Sequence, residues 1–182
     1  GGCGKPVIYL YPEKPTEVLV KFLAPINFTV SIPNYVDQWR VLANPNGQLK
    51  DLQAEKTNCS NINFNFVGSE YAKDACANAT YPYLYWSGQV AGNYFQPTEG
   101  WVVGRGELEK FLNEKLNILG LSTQEKNDMV SYWLPQMLKK DAAYYRLAFL
   151  QTPEVNKLFP MLVTPKPDTT FRIFLDWQPL VS

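Results

Sequence analysis

A chain of 182 residues, 46% hydrophobic and 14% aromatic, has enough apolar material for a packed core and suits one domain, 1–182. Its 17 basic and 17 acidic residues cancel, and no run of either sign supplies the footprint of a nucleic-acid or anionic-membrane binder. Histidine is absent, which excludes Ser-His-Asp and Cys-His catalysis, His-ligated zinc and an imidazole pH switch.

In chain order, Val7 to Tyr11 is an unbroken apolar run held between Pro6 and Pro12. Such a run reads as a buried strand with a central place in a sheet. Val18, Val20 and Phe22 alternate with polar neighbours, and Ile26, Phe28, Val30 and Ile32 repeat the pattern after Pro25. Both are half-buried antiparallel strands by their period of two. Gln38 to Ala43 and Leu49 to Leu52 flank Asn44-Pro45-Asn46-Gly47, a strong turn signal.

Residues 53–80 are polar and asparagine-rich, and Cys59 and Cys76 lie within them. A disulfide between these cysteines would close a loop worth about 3 kcal/mol in the chain-entropy account. Ile62, Phe64 and Phe66 alternate inside it and suggest a short strand. The segment reads as a disulfide-pinned insertion. Sequons fall at Asn27, Asn58 and Asn78. Cys3 is then left over, as a free thiol or as the partner of a residue outside the chain.

Tyr81 to Gly88 is the aromatic peak and reads as a strand ending in a turn at Ser87-Gly88, and Trp101 to Gly104 as another short strand. The period then becomes helical. Leu108, Phe111, Leu112, Leu116 and Leu119 form one stripe, closed by Gly120. Ser122 and Glu125 have the form of a capping box for a second helix, which Pro135 ends or kinks. The two make a helical hairpin over about 106–138. Strand signals resume at Tyr144 to Gln151 and Met161 to Thr164. Phe171, Ile173, Leu175 and Trp177 mark a closing strand. The expected fold class is α+β, with a mostly antiparallel sheet or sandwich core and the helical hairpin inserted.

Several of these stretches resemble an uncharacterised family of secreted and cell-surface proteins, largely bacterial, that share a KPVIYLYPE-type opening. The matching residues are Lys5 to Glu13, Trp39 with Asn46-Gly47, and Tyr83-Leu84-Tyr85-Trp86. Leu119-Gly120-Leu121, Tyr132 to Pro135, and Pro167 to Thr170 with Trp177 match as well. The likeness covers most of the chain outside residues 53–80. It implies secretion and carries no catalytic residue to transfer.

Candidate chemistry is thin. Glu13, Asp37, Glu99 and Asp176 sit near aromatic strand ends, but no spacing sets two of them roughly 5 to 9 Å apart for glycoside hydrolysis. The glycine-rich Gly100 to Gly106 precedes a helix yet lacks the Lys-Ser/Thr of a phosphate loop. Trp86, Tyr83, Tyr85 and Trp101 are the candidate sugar-stacking residues, but aromatics at alternating strand positions usually belong to the core. Tyr83 and Tyr85 share one face and Leu84 and Trp86 the other, so only one set could be exposed. The expectation is a non-enzymatic extracellular structural, assembly or adhesion module. A carbohydrate-binding module is the first alternative, and a carboxylate-based hydrolase the second. Cofactors and metals are not expected, nor is membrane insertion, since no apolar stretch nears ~18 residues. The expected partners are copies of itself, other surface proteins or glycans.

Overall fold

The computed structural model describes residues 2–3, 7–54, 59, 76–90 and 97–180. In chain order the strands are β1 (Gly2–Cys3), β2 (Val7–Ile8), β3 (Thr16–Phe22), β4 (Ile26–Ile32), β5 (Trp39–Ala43) and β6 (Leu49–Asp51). They continue with β7 (Thr80–Tyr81), β8 (Leu84–Val90), β9 (Trp101–Gly104), β10 (Tyr144–Leu150), β11 (Met161–Thr164) and β12 (Phe174–Leu180). The helices are α1 (Leu108–Ile118), α2 (Thr123–Leu138) and α3 (Thr152–Leu158). All described pairings are antiparallel, so the α+β class holds.

The chain divides into two compact units. Gly1–Lys5, Phe95–Leu150 and Ile173–Ser182 form the first, and Pro6–Tyr94 with Gln151–Arg172 the second.

The first unit is a four-stranded sheet in the order β1-β12-β10-β9, packed with α1 and α2. The apolar stripe of α1 buries Leu108, Leu112 and Leu116, while α2 contributes Trp133 and Met137. These meet Val103, Tyr145, Leu147, Leu175 and Trp177 of the sheet. Gly120 takes φ +89°, and the Leu121 and Gly120 amides donate to Leu116 O and Asn117 O, which completes a Schellman end for α1. The capping box forms as expected, with Glu125 N donating to Ser122 Oγ and Ser122 N to Glu125 Oε2. Pro135 does not end α2, which runs on to Leu138. The carbonyl that proline leaves unpaired in the helix belongs to exposed Ser131. The last turn is held from outside: Met137 is fully buried, and Arg105 donates to Leu138 O (2.6 Å) and Lys140 O (2.7 Å).

The second unit has a five-stranded sheet, β11-β3-β5-β6-β7, and a three-stranded sheet, β2-β8-β4. Alternation along β3 sends Val18, Val20 and Phe22 inward. Rings from both sheets interlock there: Phe22 meets Phe28 at 5.8 Å and Trp86 at 5.0 Å across the sheets, and Trp39 at 5.8 Å within its own, while Phe28 meets Trp86 at 6.1 Å. Tyr35 and Phe159 complete the cluster. Its polar atoms are satisfied locally, as Trp39 Nε1 donates to Pro33 O and the Tyr35 hydroxyl accepts from Phe22 N.

Three strand expectations need correction. Of the Val7–Tyr11 run only Val7 and Ile8 pair, and β2 ends the order of its sheet rather than lying at its centre. Tyr9 and Tyr11 instead stack on each other at 6.1 Å, with Tyr11 more than half exposed. Ser87-Gly88 is not a turn, because β8 continues through it to Val90. Gly88 lies so close to the Asn27 and Phe28 backbone that a Cβ would stand 2.5 Å from Asn27 O, so glycine here permits strand approach rather than reversal. The closing strand starts at Phe174, and Phe171 is exposed. Arg172 is held elsewhere: its amide donates to Thr152 Oγ1 and its guanidinium to Asn156 Oδ1 and Phe159 O. The Ile62–Phe66 strand lies outside the described residues.

Candidate functional site

Cys59 and Cys76 form a disulfide with Cα atoms 5.9 Å apart, across a separation of 17 residues. Cys76 is buried, and the chain beyond it turns through Asn78-Ala79 into β7. Asn78 is exposed, and the Thr80 hydroxyl donates to the Asn78 carbonyl at 3.2 Å. Asn27 is exposed on β4, opposite Gln89. Asn58 lies outside the described residues.

The four candidate stacking residues do not form one surface. Trp86 and Tyr85 are each 2% exposed. Trp86 touches Phe22 at 5.0 Å and Phe159 at 4.9 Å, so it is a core residue and the exposed role expected of it is corrected. Tyr85 and Trp86 alternate across β8, yet both faces of that strand are buried at this point. Period alone cannot reveal this. Tyr83 is half-buried and meets Tyr9 edge-on at 5.5 Å. Next to Tyr9, the Tyr11 ring lies over Gly47, which adopts φ +86° in the Asn44–Gly47 turn. A Cβ on Gly47 would stand 2.8 Å from Tyr11 Cε1. The opening motif and the Asn-Gly turn, far apart in sequence, are thus one contact.

Trp101 belongs to the first unit and is 43% exposed. Phe111 of α1 and Phe149 of β10 flank its ring at 5.6 and 6.2 Å. Lys115 Nζ stands 4.9 Å from the indole centroid. Lys115 and Phe111 did not figure among the stacking candidates. Their spacing of four on α1 and the nearby tryptophan were the available signals.

The carboxylates do not converge into a described pair. Glu13, Asp37 and Glu99 are exposed, whereas Asp176 is buried and bonded to Arg146 across β10 and β12. The glycine-rich segment does not cradle an anion either. Glu107 occupies the N-cap of α1, and Arg105 is spent on carbonyls at the end of α2 and on the Tyr145 hydroxyl. Among the described residues no group of three or more Cys, Asp and Glu is placed to hold a metal.

Burial shifts two further groups. The Tyr81 phenol is pushed well above its ordinary range by burial and by nearby Asp51. Its hydroxyl is buried without a hydrogen-bond partner among the described residues. Burial also draws Arg172 down to about 10.

Comparison with protein-family models, curated proteins and solved structures finds no match.

Proposed function

We propose that this chain is a non-enzymatic extracellular module with a structural, assembly or adhesion role. The Cys59–Cys76 disulfide carries the reading, because such bonds persist in oxidising compartments. The exposed Asn78 sequon two residues past Cys76 supports the same compartment. The engagement of Asp176 by Arg146 and of Arg172 by Asn156 and the Phe159 carbonyl supports a non-enzymatic role, since these buried charged groups serve packing. A second reading, recognition of a carbohydrate, is favoured by one observation: Trp101 presents a partly exposed ring fixed by two neighbours.

The test is recovery of the protein from its native source with thiols trapped on lysis. The expected result is a cell-surface or secreted fraction with Cys59 and Cys76 oxidised and mass added at Asn78. Cytosolic protein with both thiols reduced overturns the extracellular reading. Size measurement of the same material separates assembly subunits, which sediment as multimers, from monomeric binding modules.

A further inference from the structure

Trp101 opens β9, the terminal strand in the order of its sheet, and its indole stays 43% exposed although Phe111 and Phe149 hold its orientation. Phe111, Lys115 and Ile118 rise along one side of α1 at spacings of four and three, and Ile118 is 75% exposed. The strip therefore offers a fixed aromatic face, one ammonium and an apolar end. Lys115 Nζ stands 4.9 Å from the Trp101 centroid and 5.7 Å from that of Phe111. Among the described residues it has no carboxylate partner, as the ion pairs there are Glu17–Arg40 and Asp176–Arg146.

We propose that this strip binds a carboxylate-bearing sugar, the pyranose stacking on Trp101 and its carboxylate meeting the Lys115 ammonium. The inference rests on the extracellular reading above for its setting, and on the geometry of this strip for its ligand. An indole already fixed by two neighbours loses little freedom when a flat ring settles on it. A lysine over an exposed ring is held only weakly. A carboxylate offers that ammonium a charge-assisted hydrogen bond, which is stronger, and no existing ion pair breaks when the flexible stem swings toward it. Glu114 precedes Lys115 and Glu99 lies two residues before Trp101, so the local charge is not strongly positive. That balance selects a ring with a single carboxylate over a sulfated polyanion or a phosphate chain.

Calorimetric titration of the full chain with an oligo-uronate, a neutral oligoglucose of equal length and an acidic peptide tests the proposal. The expected result is saturable uronate binding, at least about tenfold weaker binding of neutral sugar, and none of the peptide. Lys115→Gln lies on the helix surface and leaves the fold intact by its melting curve. It should bring uronate down to the level of neutral sugar, while Trp101→Ala abolishes both. Undetectable uronate binding, unchanged uronate affinity in Lys115→Gln, or tighter binding of the acidic peptide overturns the proposal. Because the titration uses purified protein, it fails or succeeds independently of where the native chain is found.

Discussion

The two units solve the problem of a dry interior differently. In the first, two helices pack Leu108, Leu112, Leu116, Met137 and one ring, Trp133, onto a sheet that supplies Tyr145 and Trp177, and polar atoms converge at one helix end, where Arg105 and Tyr145 take up the last carbonyls of α2. In the second, two sheets meet through aromatic rings, where the Pro33 carbonyl accepts from Trp39 Nε1 and the Tyr35 hydroxyl accepts from the Phe22 amide of β3. Helices satisfy their own backbone bonds, so a helical unit can fail at its ends. Sheets satisfy theirs through neighbours distant in sequence, so the second unit depends on its ring cluster and on the Cys59–Cys76 bond.

Deleting a central ring should have the largest effect. Trp86→Ala removes contacts with Phe22, Phe28 and Phe159 and should cost about 3–5 kcal/mol in urea unfolding. Peptide-resolved hydrogen exchange should then show the greatest loss of protection in β3, β5 and β8. Equal loss across α1 and α2 would break the contrast between the units.

Next comes the disulfide. Replacing both Cys59 and Cys76 by serine should lower stability by about 3 kcal/mol on the chain-entropy estimate, again read first in the second unit. A change under about 0.5 kcal/mol would mean that the bond does not supply the loop-closure stabilisation assigned to it.

In the first unit, Arg105→Ala strips the cap from the end of α2. Since Arg105 is itself exposed, the expected loss is about 1 kcal/mol. It should appear as faster exchange confined to residues 135–140.

The smallest expected change is a gain. Tyr81→Phe removes a buried hydroxyl that has no partner among the described residues and should leave stability equal or higher by up to about 1 kcal/mol. It also probes the alkaline limb. Because the folded phenol is raised above its ordinary 10.0, the folded state holds its proton while the unfolded chain releases it. The stability tied to that proton is complete below pH 10 and declines as pH rises further. Tyr81→Phe should flatten that decline in a pH series of thermal melts. An unaltered slope would assign the alkaline limb to other groups, the raised phenol of Tyr35 among them.

Local chemistry was legible wherever one residue type has one mechanical use. Gly120 at a helix end, the Ser122–Glu125 box, the Asn44–Gly47 turn and the alternation of β3 and β4 each follow from sterics or hydrogen bonding within a few residues. By itself the sequence determined the α+β layout and the two helices, and it pointed to the cysteine pair that the structure joins. Tertiary structure alone decided which aromatic residues are buried and which are displayed. Trp86 and Trp101 both lie in short apolar strands, yet one sits between two sheets and the other at the end of one. It also decided where Gly88 and Arg172 act, because each answers to a backbone brought near it by folding rather than to its neighbours in sequence. Burial and approach are properties of the partner surface, and no period along a single strand or helix contains them.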